Sequence, residues 1–200
     1  MPCDIWDNAR ALGAGTREIA GMTLGIVGVG AIGRRLAKIA YRGFGMRVLG
    51  NQRRLDRLPP EAEPAALDPL VAASDFVVVT CPLTKETHHL FDRERFARMK
   101  PGAWLINVGR GAVVQEQALI EALRARRIAG AMLDVYEHYR IAPGHSLFAL
   151  DNLVLTPHLA GMTVESRSRM SEAAAEEMLR MLAGEAPQNF VNPESRRARA

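Results

Sequence analysis

Two hundred residues is the size of one domain, or of one domain and a fraction. A hydrophobic share of 48% beside 24% charged residues is ordinary globular composition, which excludes disordered, collagen-like and mucin-like chains. The formal charge of +4 is spread over scattered arginines, as in Arg53-Arg54, Arg124 to Arg127 and Arg196-Arg197-Arg199; it argues against a nucleic-acid partner and for attraction of small anions.

The longest apolar runs, such as Phe76-Val77-Val78-Val79, fall far short of the roughly 18 residues that cross a bilayer, so no membrane partner is expected. The start, Met1-Pro2-Cys3-Asp4, has no basic region followed by an apolar one, and a cytoplasmic location is expected. Cys3 and Cys81 form no C-x-x-C pair, which leaves free thiols rather than a disulfide framework or a zinc site.

Along the chain, short β-branched runs alternate with stretches of helical period. That pattern predicts an α/β fold, a Rossmann-like doubly wound parallel sheet with helices on both faces. Residues 1–20 complete no strand–helix unit and read as an N-terminal arm or helix remnant. Strands are expected at Thr23–Val27, Met46–Leu49, Phe76–Thr80, Trp104–Val108, Ala129–Asp134 and Leu153–Leu155. The spacing of Ile32, Leu36, Ile39 and Ala40 predicts a helix over Ala31–Arg42, stopped by Gly43 and Gly45. Further helices are expected at Ala65–Ala73, Thr87–Met99 and Gln115–Arg126. Three prolines within Leu58 to Pro64 make that stretch a loop. A long C-terminal helix, Val164 to Leu182, puts Met170, Ala174, Met178, Met181 and Leu182 on one stripe that needs a partner, and Asn192 to Ala200 are expected to be disordered.

The sequence Gly28-Val29-Gly30-Ala31-Ile32-Gly33 places G-x-G-x-x-G directly after a strand and at the opening of a helix. Gly28 permits the tight turn, Gly30 lets a pyrophosphate approach the backbone, and Gly33 allows close helix–strand packing, while the helix N-terminus offers N–H groups and a positive dipole. This predicts dinucleotide binding. The second strand ends in Gly50-Asn51-Gln52-Arg53-Arg54, where a carboxylate for the ribose hydroxyls is expected and two guanidiniums stand instead. They suit a 2′-phosphate, so NADP is favoured over NAD; the alternative is that both are solvated surface charges.

Three later segments follow the carboxyl ends of expected strands, where open α/β sheets bind ligands: Cys81-Pro82-Leu83-Thr84, Asn107-Val108-Gly109-Arg110-Gly111 and Thr156-Pro157-His158-Leu159-Ala160-Gly161. With Leu24 to Gly33 and Gly130 to Tyr136, they make the chain resemble, over residues 20–192, the nucleotide-binding domain of the D-isomer-specific 2-hydroxyacid dehydrogenases. The resemblance implies an oxidoreductase that transfers a hydride between NADP(H) or NAD(H) and a small 2-keto/2-hydroxy acid. It implies cofactor contacts from Gly28, Gly30, Ala31, Ile32, Gly33, Cys81, Pro82, Val108, Asp134, His158 and Gly161, with Asp134 at the nicotinamide end. By the same resemblance Arg110 clamps the substrate carboxylate and polarises the keto oxygen, and His158 is the acid/base.

One position departs from the family pattern D-V-[FY]-x-x-E: this chain reads Asp134-Val135-Tyr136-Glu137-His138-Tyr139, with Tyr139 in the glutamate's place. A phenol cannot stabilise imidazolium as a carboxylate does, which lowers the expected pKa of His158. Glu137 would reach that imidazole only through a remodelled loop, and the favoured reading leaves Glu137 and His138 as plain loop residues. His88, His89 and His145 are weak signals, and no metal site is expected from them.

The resulting organisation is an arm over 1–20, a dinucleotide-binding domain over 21–161, a long helix over 162–184 and a tail over 185–200. Family members carry a substrate domain built mainly from residues before this region, and it is largely absent here. Exposed apolar surface on the long helix and the arm, with Trp6 crossing to a partner, predicts a homodimer. Tyr139 and the absent substrate half keep open a different class of function, a non-catalytic nucleotide-binding interaction or regulatory module.

Overall fold

A computed structural model of the protein describes Asn8, Arg10, Ala11 and residues 15–188. The readings of Cys3, Trp6 and the stretch from Asn192 to Ala200 lie outside the described residues. The chain divides into two compact units, one ending at Pro157 and the other beginning at His158.

In the first unit the elements run β1 (Thr23–Val27), α1 (Ala31–Phe44), β2 (Arg47–Asn51), β3 (Glu63–Pro64), α2 (Leu67–Ala73), β4 (Phe76–Val79), α3 (Arg93–Arg98), β5 (Trp104–Asn107), α4 (Glu116–Arg124), β6 (Gly130–Leu133) and β7 (Leu153–Leu155). All pairings are parallel and the sheet order is β3-β2-β1-β4-β5-β6-β7, the doubly wound arrangement the sequence predicts. Because parallel strands bury both faces, successive residues feed two cores. Leu24, Ile26, Val48 and Val78 pack with Ala37 and Ala40 of α1 on one face. Val77, Val79 and Leu105 pack with Leu70, Phe96, Leu119 and Leu123 on the other. Each fully buried Val, Leu, Ile or Phe side chain among these contributes about 1.5–3 kcal/mol.

Two expectations change. The Pro-rich stretch contains a short edge strand, β3, joined to β2 through the pairs Leu49–Glu63 and Gly50–Pro64; proline is tolerated there because an edge strand can spare its donor. The helix expected over Thr87–Met99 shrinks to α3. His89 takes a left-handed φ of 50°, Phe91 bridges Val114, and the Asp92 side chain then accepts the Arg95 N–H at 2.9 Å as an N-cap. The expected helix therefore begins only after the chain has paired with the segment following β5.

The second unit contains α5 (Val164–Leu182), with the bounds its periodicity predicts. Thr163 caps it by accepting the Ser166 N–H at 3.1 Å. Met170, Met178, Met181 and Leu182 are exposed.

Candidate active site

In the strand domain the candidate residues sit at the carboxyl edge of the sheet, because every strand is parallel and every loop they occupy follows a strand. At the first turn Gly28 has φ 96°, a conformation that L side chains rarely adopt. A Cβ there would lie 2.5 Å from the Cys81 nitrogen. Gly33 backs onto the same turn, since a Cβ on it would lie 2.6 Å from the Gly28 carbonyl oxygen. Gly30 differs: a Cβ at that position would meet no atom within 4 Å. It is the N-cap of α1, no side chain caps that helix, and Ala31, Ile32 and Gly33 form its first turn. The N–H groups of a first helical turn lack intrahelical acceptors, so an open glycine beside them is a cradle that fits a diphosphate.

The turn is held from β4 and β5. Thr80 Oγ1 donates to the Gly28 carbonyl at 2.5 Å. Cys81 is buried, which pushes its thiol pKa up, and Pro82 beside it is exposed. On its other side Gly109 presses on Cys81, since a Cβ there would lie 2.8 Å from the Cys81 carbonyl oxygen. Asn107, fully buried at the end of β5, accepts the Gly109 N–H and donates Nδ2 to the Arg110 carbonyl, both at 3.0 Å. Val108 continues this bend and is half-buried. The Arg110 guanidinium is exposed and donates to the Gly109 carbonyl at 2.8 Å. Thr80 and Asn107 are site-building residues that strand patterns alone do not reveal.

After β2, Arg53 and Arg54 are exposed. Arg54 approaches Asp56 at 3.4 Å, and Arg34 of α1 donates to the Arg57 carbonyl, which ties this loop to the helix. Arg53 also acts on Glu86: the Thr84 hydroxyl, a backbone N–H and then the Arg53 charge hold that carboxyl below its usual value.

Asp134 follows β6, is 1% exposed, and accepts the Thr156 hydroxyl at 2.5 Å. The Tyr136 hydroxyl donates to the Thr156 carbonyl at 2.6 Å, and its burial raises its pKa. Glu137 is no plain loop residue. Its Oε1 pairs with His89 Nε2 at 2.7 Å and its Oε2 accepts the Glu116 N–H at 3.1 Å. Burial pushes the Glu137 carboxyl up, but those bonds and the His89 and His138 charges outweigh it and hold the pKa low. Tyr139, at the position where the pattern has glutamate, is 84% exposed.

His158 opens the second unit with φ 58°, and Gly161 follows it where a Cβ would meet nothing within 4 Å. Among the described residues, no group of three or more His, Cys, Asp or Glu is placed to hold a metal ion, and no helix is long and apolar enough to cross a membrane.

A seven-stranded parallel sheet with an open glycine at the uncapped start of its first helix defines a Rossmann-like nucleotide-binding domain. The chain belongs to the D-isomer specific 2-hydroxyacid dehydrogenases and carries their NAD binding domain, whose family model matches residues 4–160. It is 46% identical over 178 residues to a glyoxylate/hydroxypyruvate reductase B of Klebsiella pneumoniae (strain 342), an alignment covering 86% of this chain and 54% of that protein. The fold matches a D-isomer specific 2-hydroxyacid dehydrogenase from Xanthobacter autotrophicus Py2 in complex with NADPH and MES, with TM-score 0.81 and 36% identity, over 97% of this chain and 82% of that one. It also matches a D-lactate dehydrogenase with NAD+ from Lactobacillus jensenii, with TM-score 0.81 and 29% identity, over 94% and 62% of the two chains. The chain spans about half the length of the curated relatives it matches.

Proposed function

We propose that the chain is the cofactor-binding and catalytic half of an oxidoreductase that transfers a hydride between NADP(H) or NAD(H) and a small 2-keto/2-hydroxy acid, with NADP(H) preferred. The observation that carries this reading is the open Gly30 at the start of α1, on the same sheet edge as Arg110. A bound nicotinamide supplies the hydride. The backbone of Ala31, Ile32 and Gly33 receives the diphosphate, and Cys81, Pro82, Val108, Asp134 and Gly161 complete the cofactor contacts. Arg53 and Arg54 receive a 2′-phosphate, which an exposed guanidinium pair fits by bidentate hydrogen bonds. Arg110 binds the substrate carboxylate and draws charge from the keto oxygen, as a permanently charged planar fork can. His158 holds, on an imidazole nitrogen, the proton that this oxygen takes up.

Glyoxylate and hydroxypyruvate are the first substrates to try, since a reductase of that name is 46% identical to this chain. A homodimer belongs to the same proposal, supported by the exposed Met170, Met178, Met181 and Leu182 on one stripe of α5; a monomer mass by light scattering at micromolar concentration counts against it. A cytoplasmic location, where nicotinamide cofactors are available, belongs to the proposal as well.

The exposed Tyr139 favours a second reading, a nucleotide-binding interaction or regulatory module without turnover. Fluorescence titration with NADPH and NADH, followed by turnover of glyoxylate, hydroxypyruvate and pyruvate, separates the two. Binding with turnover supports the enzyme, binding without turnover supports the module, and no binding removes both.

A further inference from the structure

The geometry points to a second function for two residues that the reaction does not itself use: His89 and Glu137 are positioning residues that lock the Arg110 loop in register for a substrate carboxylate. The inference rests on the role proposed for Arg110. Three loops of the carboxyl edge meet at this pair. His89 lies after β4, Arg110 to Glu116 lie after β5, and Glu137 lies after β6.

The contacts form a closed circuit. The His89 N–H donates to the Ala112 carbonyl at 2.8 Å, and the Phe91 N–H donates to the Val113 carbonyl at 3.0 Å. The His89 ring meets Glu137 Oε1 at 2.7 Å, and Glu137 Oε2 accepts the Glu116 N–H at 3.1 Å. The circuit is closed by Gly111, where a Cβ would overlap the Tyr136 carbonyl and lie 2.5 Å from the Glu137 nitrogen. Arg110 thus precedes a residue wedged against the 136–137 peptide, and that peptide is pinned by the Glu137 side chain. Val113 and Val114 turn back by donating to the Arg110 and Gly111 carbonyls at 3.2 and 2.9 Å.

His89 adopts φ 50°, in the left-handed region that few residues other than glycine enter and where histidine is enriched with asparagine and aspartate. An exposed connector has no need of that conformation, but it is what directs the backbone N–H to Ala112 and the ring to Glu137 together. Titratable groups near the pair are His88, whose ring centroid is 3.9 Å from that of His89, His138, which acts on Glu137, and Glu116, whose carboxylate meets His145 at 3.2 Å.

His89→Asn tests this in the full chain, since asparagine tolerates the left-handed backbone but is too short to reach Glu137. His89→Gln is the conservative counterpart, because its amide still donates to the carboxylate. Expected for His89→Asn are amide exchange at Val113 and Val114 faster by about tenfold, a glyoxylate KM higher by about tenfold with kcat changed less than about threefold, and unaltered NADPH affinity. His89→Gln restores both exchange and KM to near the wild-type values. With an active wild-type enzyme, a KM unmoved by His89→Asn overturns the inference. If the wild type neither turns over keto acids nor binds oxalate, the reading of Arg110 fails instead, and unchanged exchange at Val113 and Val114 then overturns the lock by itself.

Discussion

The Cys81 backbone fills the volume in which Gly28 would carry a side chain: a Cβ on residue 28 would lie 2.5 Å from the Cys81 nitrogen and 2.6 Å from its Cα. Gly28 also has φ 96°, so the replacement Gly28→Ala meets both steric overlap and backbone strain. We expect it to cost about 2–4 kcal/mol and to abolish NADPH binding, as thermal melting and titration would show. Retention of the wild-type melting temperature would mean that the two loops part easily.

Gly30→Ala should behave differently, because a Cβ there touches nothing within 4 Å. The fold should melt as the wild type does, while NADPH affinity falls by roughly tenfold or more, since the methyl group enters the space proposed for the diphosphate. Unchanged affinity would show that the cofactor does not pass over Gly30.

Replacing Arg53 and Arg54 together by alanine is expected to weaken NADPH by about tenfold or more and NADH by less than about threefold. A charge-assisted pair to a 2′-phosphate is worth roughly 1.5–3 kcal/mol and NADH has none to offer. Equal losses for the two cofactors would remove the NADP preference.

At Tyr139 the exposed phenol leaves the replacement free of steric cost. Tyr139→Glu restores the carboxylate of the family pattern. If this position serves the acid/base as the family pattern implies, a carboxylate there favours the protonated imidazole, and the optimum for reduction should move up by about one pH unit together with a higher rate. If neither moves, residue 139 is not the position that tunes His158.

Asp75 staples the opposite, amino-terminal edge of the sheet. Its Oδ2 accepts the Thr23 N–H and its Oδ1 the Lys100 ammonium, both at 2.8 Å. Burial raises the Asp75 pKa, but the Lys100 and Thr23 hydrogen bonds and the Lys100 and Arg17 charges outweigh it and leave it lowered. A carboxyl lowered in the native state stabilises the fold above its unfolded value of about 3.9 and loses that contribution as the pH falls through the lowered native value. Asp75→Asn should therefore cost about 1 kcal/mol at pH 7, with the difference from wild type vanishing in melts as the pH falls through the lowered native value. A difference that persists there would make the loss one of packing.

Sequence alone determined the sheet, the glycine turn and the helix over Val164–Leu182, because these depend on local periodicity: β-branched runs make strands, and apolar residues every three or four positions make helices. The lack of a carboxylate at the end of β2, where Asn51 and Gln52 stand, was equally legible, since it is a matter of residue identity. Tertiary structure decided what depends on distant partners. The helix expected from Thr87 yields to the pairing of His89 and Phe91 with the segment after β5, and proline-bearing residues 63–64 become a strand only because β2 offers them an edge. Glu137 reads as a loop residue until the fold brings His89, 48 positions away, within 2.7 Å of it. A hydrogen bond of that range has no period, so no pattern along the chain announces it.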